Sequence, residues 1–245
     1  MFNIRLYLTI ALFAITGSCF AQSNKTGTWG LATLVLPGST EHRWGGYAEL
    51  QGRTDETLFR NFFYYEVKGG VSYNFDNNSY ALIGTGHYTT YDYLDLDKGP
   101  LVKENRLWEQ FTSVEFVGRV KLEHRYRVEQ RWLNSDAGNT YRNRFRYRLN
   151  ALVPINHTKF VPNTVFLSVF DEIFFNNKTP NFERNRVCAL LGYQFTKALN
   201  LQAGWINQFN NLPASSNDKN NMMVMVMYNI QRKKSSSGIL PTTKD

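Results

Sequence analysis

The sequence is poor in residues that form covalent or metal cross-links. Its 245 residues include two cysteines and four histidines. Cys19 lies in a leader that we expect to be removed, so Cys188 has no partner for an intramolecular disulfide. The histidines are too far apart for a zinc-site spacing, and we predict neither a metal nor a cofactor. The fold is therefore expected to rest on non-covalent packing.

Long apolar runs and helical periodicity are also missing from most of the chain. Beyond residue 16, no uninterrupted apolar stretch reaches the roughly 20 residues that a transmembrane helix needs. No segment repeats its apolar residues every three to four positions, as an amphipathic helix does. These absences exclude helical membrane proteins and helical bundles. They leave an all-β protein, either in water or in a membrane.

Acidic residues are fewer than basic ones. The chain has 28 Lys and Arg against 20 Asp and Glu, which gives a net charge of +8. This balance favours anionic partners weakly, and it does not discriminate between folds.

The first residues have the composition of a secretory signal peptide. Arg5 supplies a positive charge, Leu6–Thr16 is apolar, and Ala21 offers a small residue for cleavage. We predict a cleaved signal peptide at residues 1–21, a β-barrel at 22–231 and a basic, flexible tail at 232–245. A lipoprotein modified at Cys19 is disfavoured, because Thr16 stands where that motif usually has Leu. Since the chain is exported, we expect no nucleic-acid partner.

Two runs in the middle of the chain carry charge at every second position. Odd residues from Glu123 to Arg131 are charged and alternate with apolar or aromatic residues. Even residues from Arg142 to Arg148 are all arginine and alternate in the same way. Successive strand side chains point to opposite faces, so each run has one charged and one apolar face. A soluble sheet would turn the charged face to water, whereas a membrane barrel turns it to the lumen.

We count eleven candidate strands, from Thr28–Leu36 to Met222–Ile230. Short turns and longer loops alternate between them, as they do in outer-membrane barrels. We predict a single antiparallel, up-and-down transmembrane β-barrel of 10–12 strands. Because bacterial barrels use even strand numbers, we expect ten or twelve, with Thr28–Leu36 wrongly bounded or not a full wall strand.

Aromatic residues make up 15% of the chain and cluster near the ends of the candidate strands. Girdles of Trp and Tyr at both membrane interfaces have this distribution. A soluble periplasmic β-barrel that binds a ligand is the alternative. It predicts that Tyr73, Phe75, Tyr193 and Phe195 pack together in a core.

Several ordered segments resemble a known family. They are Glu104–Gln110, His124–Trp132, Arg144–Leu149, Asp171–Asn176, Asn185-Arg186 and Leu191–Tyr193. Together they are similar to domain of unknown function 2490, an exported family of Bacteroidota and some Proteobacteria. The resemblance implies a porin-like barrel in a Gram-negative outer membrane and carries no established activity.

Inside such a barrel, the charged faces form a candidate lumen network. Its predicted members are Glu123, Arg125, Arg127, Glu129, Arg131, Arg142, Arg144, Arg146, Arg148, Glu172, Arg184 and Arg186. The sequence also contains Glu104 and Glu109 on the preceding strand, and it does not decide whether they face the lumen or the outer wall. Arg–Glu pairs filling the lumen would make a plugged, structural barrel. A surplus of arginine would instead favour passive transport or binding of small anions.

An outer-membrane lipid-modifying hydrolase is a third possibility. His87 and His124 are the candidate bases, and His87 is expected to face the lumen with Thr85 and Thr89. No GxSxG motif is present, and we assign no catalytic residue. The expected partners are outer-membrane lipid and small anions.

Overall fold

The structure, a computed structural model, describes residues 26–57, 59–92, 94–212 and 216–231. The predicted signal peptide and the predicted tail lie outside the described residues. A short 3-10 helix occupies Leu96–Lys98. The strands are β1 (Gly27–Leu36), β2 (Trp44–Thr54), β3 (Phe62–Asn74), β4 (Ser79–Tyr91), β5 (Pro100–Val117), β6 (Val120–Ser135), β7 (Gly138–Pro154), β8 (Thr164–Asn176), β9 (Phe182–Gln194), β10 (Leu199–Asn211) and β11 (Ser216–Asn229).

The eleven strands form a closed barrel in sequence order. Each strand pairs antiparallel with the next, which confirms the all-β barrel and the range of 10–12 strands. The expected even number is wrong. β1 is a full wall strand and pairs in parallel with β11, from Gly27↔Asn221 to Val35↔Asn229. An up-and-down barrel with an odd number of strands necessarily closes through one parallel pair.

This parallel seam places the two ends of the barrel wall at opposite rims. We call the rim where β1 begins the N-terminal rim, and the rim where β11 ends the C-terminal rim. The predicted alternation of short and long connections is wrong, because β6 and β7 are joined by residues 136–137 alone. Residues 133–139 are mostly polar or small, a composition typical of loops, yet most of them extend the β6–β7 hairpin. The longest connection, 155–163, lies at the C-terminal rim.

The outer wall is largely apolar. Leu50, Val67, Ile83, Val128 and Leu191 are each 45–63% exposed on this face. Glu109 interrupts the apolar surface on β5, where it accepts a hydrogen bond from Gln130 at 3.1 Å. No helix among the described residues is long and apolar enough to cross a membrane.

Outward aromatic side chains concentrate near both rims. At the C-terminal rim, Trp44 packs on Tyr73 with ring centroids 5.2 Å apart. At the N-terminal rim, Trp132 packs on Tyr141 at 5.5 Å. Tyr64 and Trp108 do not belong to these girdles, because both side chains lie buried in the lumen.

The middle of the lumen is packed. An apolar cluster on β1 and β8–β11 includes Leu31, Ile206 and Met225, all buried. A second cluster contains Trp108, whose indole lies against Gly84 of the neighbouring strand. A Cβ at Gly84 would come within 2.4 Å of that ring, so only glycine leaves room for it. Side chains therefore fill the barrel at this level, as expected for a barrel much narrower than a porin.

Candidate functional site

The predicted network residues lie on the lumen face of β6–β9. The buried members are Glu123, Arg125, Arg127, Glu129, Arg131, Arg144, Arg146, Arg148 and Glu172. Arg142, Arg184 and Arg186 are half-buried near the N-terminal rim. Strand alternation brings them together because the two charged faces pair in register, with Arg127 opposite Arg146 and Glu129 opposite Arg144.

Glu129 joins three arginines. Its carboxylate accepts hydrogen bonds from Arg144 Nε at 2.8 Å and from Arg146 Nη1 at 2.6 Å. Arg127 Nη1 lies 3.7 Å away and its guanidinium stacks on Trp108. Glu129 is completely buried, so these contacts supply the charge compensation that water would otherwise give.

Glu172 is the second carboxylate at this level. It accepts hydrogen bonds from Arg125 at 2.5 Å and from Arg146 Nε at 3.0 Å. Arg146 therefore bridges Glu129 and Glu172. Closer to the C-terminal rim, Arg148 donates to Glu123 at 3.1 Å.

A further charged ladder on β2 and β3 was not predicted as part of the site. Lys68 Nζ lies 2.6 Å from Glu49 and 2.7 Å from Glu66. Tyr64 donates a hydrogen bond to Glu66. The signal was present in the sequence, since Glu49, Glu66 and Lys68 already shared faces of alternating segments.

Acids at the N-terminal rim hold another pair of arginines. Glu104 faces the lumen and accepts hydrogen bonds from Arg106 and Arg131. Arg131 also reaches Glu183 at 3.3 Å, and Arg144 reaches the same carboxylate at 2.9 Å. Glu183 and Arg106 had been missed.

A cavity of about 280 Å³ lies among these groups, and we call it the rim cavity. Its cationic lining residues are Arg53, Lys68, Arg106, Arg131, Arg144, Arg146, Arg184 and Arg186, and its acidic ones are Glu66 and Glu104. The side chains of Arg131, Arg186 and Glu183 are 10–16% exposed, so solvent reaches this level. Arg127 and Glu129 are fully buried and close the lumen below it.

Three of the cavity arginines are held by amides. Arg53 Nε lies 2.8 Å from the amide oxygen of Gln51 when that amide is oriented to satisfy its neighbours. Arg184 Nε donates to Asn210 at 2.6 Å, and Arg186 Nε donates to Gln208 at 2.8 Å.

The nearest carboxylates of these three guanidinium groups lie at the edge of ion-pair distance or beyond it. Arg53 is 3.9 Å from Glu66, and Arg186 is 3.9 Å from Glu172. Within the part of the chain that the structure describes, Arg184 has no carboxylate within ion-pair distance.

His87 lies on the outer wall, so the expectation that it faces the lumen is wrong. On β4 it is Leu82 and Tyr88, of opposite parity, that turn inward. His87 Nδ1 lies 2.8 Å from Asn105 Oδ1, and Nε2 lies 3.1 Å from Thr89 Oγ1. This is the order of an orienting group, a base and a hydroxyl. Thr89 is only 1% exposed, however, so the hydroxyl is not accessible to a lipid ester.

His124 also lies on the outer wall, nearer the C-terminal rim. Its Nδ1 is 2.9 Å from the Tyr147 hydroxyl and its Nε2 is 3.2 Å from Glu115. Both ring nitrogens of His124 therefore already have hydrogen-bond partners. The hydroxyl beside it is the phenol of Tyr147, and not the side chain of a serine or threonine. Among the described residues, no group of three or more His, Cys, Asp or Glu is placed to hold a metal ion.

The model of a family described as protein of unknown function (DUF2490) matches residues 26–221. The chain belongs to the DUF2490 family. The matched region of this DUF2490 member spans β1 to β10 and ends within β11, which confirms the resemblance seen in the sequence. No significant match was found among curated proteins or among solved structures.

Proposed function

We propose that this protein is an integral β-barrel of a bacterial outer membrane with a sealed lumen. It would serve as a structural and anion-binding element of that membrane, without acting as an open pore. The proposal rests on one observation above all: the wall is apolar outside and charged inside.

The distribution of side chains across the wall supports the membrane. A lysine or arginine facing lipid at the bilayer midplane costs about 2–4 kcal/mol, so a lipid-facing wall excludes them. Here the arginines of β6 and β7 face the lumen, while residues such as Val128 and Phe145 face outward. In water the arrangement would be unfavourable, because it exposes a large and mostly apolar surface.

The soluble alternative is not supported by the four aromatic residues that would form its core. Tyr73 packs on Phe75 at the end of β3, and Tyr193 packs on Phe195 at the end of β9, so each pair is local to one strand end. Phe75 and Phe195 remain 48% and 45% exposed on the outer wall. They occupy positions suited to a membrane interface.

The packed lumen supports a sealed barrel. An open anion path would have to pass Arg144 and Arg146, yet these side chains are tied to Glu129 and Glu172. Arg127 and Glu129, at the same level, and Arg125, closer to the C-terminal rim, have 0–1% exposure. An aqueous channel generally needs about sixteen strands, and a barrel of about eight is just filled by side chains.

The test is gel mobility of the detergent-extracted protein, boiled and unboiled, with planar-bilayer conductance of the same sample. We expect a mobility shift on boiling, as folded membrane barrels show, and a silent bilayer. Recovery as a soluble periplasmic protein with no shift would overturn the membrane assignment. A steady anion-selective conductance, lost on Arg144→Gln and Arg146→Gln substitution, would overturn the sealed lumen.

A further inference from the structure

We infer that the rim cavity binds a phosphate-class oxyanion through Arg53, Arg184 and Arg186. The inference deepens the proposed function, on which it rests, by naming the anion. It starts from a difference between these three arginines and the others in the lumen.

Most of the other lumen arginines are held by acids. Arg125, Arg131, Arg144, Arg146 and Arg148 each have a carboxylate oxygen within 3.3 Å. Those contacts neutralise the charge as well as fixing the side chain. These ion pairs explain why the lumen is closed. Because their charges are already compensated, these arginines are poorly suited to bind an anionic ligand.

The charges of Arg53, Arg184 and Arg186 are compensated much less. Glu66 and Glu172 lie 3.9 Å from Arg53 and Arg186, but each of these carboxylates binds another cation more closely, at 2.7 Å for Lys68 and 2.8 Å for Arg146. The Nε atom of each is held by a neutral amide oxygen. An amide fixes the guanidinium plane and leaves its full positive charge, whereas a carboxylate would cancel it.

Aromatic rings orient the same groups. The Arg53 guanidinium lies 3.7 Å from the ring centroid of Trp29. Arg186 lies 5.0 Å from Trp29 and 4.9 Å from Phe174, and Arg184 lies 5.7 Å from Phe174. Stacking holds the flat face of each group and leaves its edge, which carries the donors, to bind.

Three like charges in one cavity repel each other, and an anion with two charges relieves that repulsion. Guanidinium forks bind the oxygens of phosphate in pairs, and a tetrahedral anion accepts such forks from several directions. At about 280 Å³ the cavity exceeds the space of a single ion, since water takes roughly 30 Å³ per molecule in the liquid. A phosphate monoester with a small organic group fits as well as inorganic phosphate.

Calorimetric titration of the folded, detergent-extracted protein tests this. The probes are inorganic phosphate and glycerol phosphate, with sodium chloride at equal ionic strength as reference. We expect phosphate to bind and chloride to give no saturable heat. Arg184→Gln should weaken binding about tenfold or more, because a charged hydrogen bond is lost. Arg184→Lys should fall between, since it keeps the charge and loses the fork.

The matched control is Arg119→Gln. Arg119 is exposed in the β5–β6 turn at the C-terminal rim, so this variant loses the same charge away from the cavity. It should bind phosphate as the natural chain does. Equal weakening in both variants would overturn the inference, because net charge alone would then account for binding. If the Arg184→Gln protein does not shift on boiling, and is therefore not folded, the Asn210→Ala variant is used instead. This variant removes the amide that holds Arg184, and we expect the same loss of phosphate affinity.

The source of the phosphate is separated by a second arm with phosphatidic acid vesicles. Binding of inorganic phosphate identifies a soluble ligand. Binding of phosphatidic acid vesicles alone, weakened by Arg184→Gln, identifies a lipid headgroup and still supports the site. If a barrel that shifts on boiling and shows no bilayer conductance binds neither phosphate nor phosphatidic acid vesicles, the anion site is overturned. The proposal of a sealed membrane barrel would still stand.

Discussion

At the residue scale, the same side chain has a different role on each face of the wall. Glu129 and Glu109 are both wall glutamates, yet one is buried among arginines and the other exposed beside Gln130. On β6 and β7, the alternation of charged residues with uncharged ones predicted correctly which side chains face the lumen, because it continues along both strands without interruption. It left Glu109 undecided, since Arg106, Trp108 and Glu109 do not follow a simple alternation.

The two glutamates give opposite expectations for stability. Glu129→Gln removes a buried carboxylate that Arg144 and Arg146 share, and leaves them Glu183 and Glu172 as their remaining acids. Removing one member of a buried charge pair costs about 3–5 kcal/mol. Glu109→Gln removes a charge from the apolar wall and should leave the free energy of unfolding unchanged or raised. Urea unfolding of both variants in the same detergent measures this. Equal losses would contradict the assignment of faces.

The rim cavity shows what sequence cannot give at this scale. The surplus of arginine was visible, but Arg184 and Arg186 looked no different from Arg144 and Arg146. The difference lies in their partners. Asn210 and Gln208 come from β10, and only pairing of β9 with β10 brings those amides to Arg184 and Arg186.

At the element scale, the main surprise is β1. Its residues are apolar on both faces, so alternation gave no register, and the even-number rule of bacterial barrels argued against it. In the structure its inner face packs in the apolar half of the lumen and its edge closes the barrel against β11. Which strand pairs with the last one is a non-local property, and local pattern does not encode it.

A cysteine cross-link tests this seam. Ala32 lies opposite Val226 in the parallel pair, so Ala32→Cys with Val226→Cys should oxidise readily, because facing strand residues lie within disulfide range. Ala32→Cys with Met222→Cys, four positions away, is the control and should stay reduced. Maleimide labelling after denaturation counts the free thiols, with Cys188 as an internal reference. An oxidised control or a reduced test pair would refute the register.

At the scale of the whole molecule, composition and alternation predicted the fold class. Charged and apolar residues alternate along the strands, so one face of each strand lines the lumen and the other forms the outer wall. The predicted loop lengths were wrong, and the sequence left a filled lumen and an open, anion-selective lumen as alternatives. Polar residues near Ser135 and Gly138 belong to an extended hairpin, and the closure of the lumen depends on contacts such as Trp108 against Gly84. Those contacts join residues far apart in the sequence.

The measurement that tests the central claim most directly asks which face of the wall meets lipid. Single-tryptophan variants that keep Trp132 or Trp108, with the other tryptophans changed to Phe, are folded into vesicles with brominated acyl chains. Trp132 is 47% exposed on the outer wall, and Trp108 is buried in the lumen. We predict that bromine quenches the fluorescence of Trp132 and leaves that of Trp108 unchanged. Quenching of Trp108, or no quenching of either residue, would contradict a membrane barrel with an apolar outside and a charged inside.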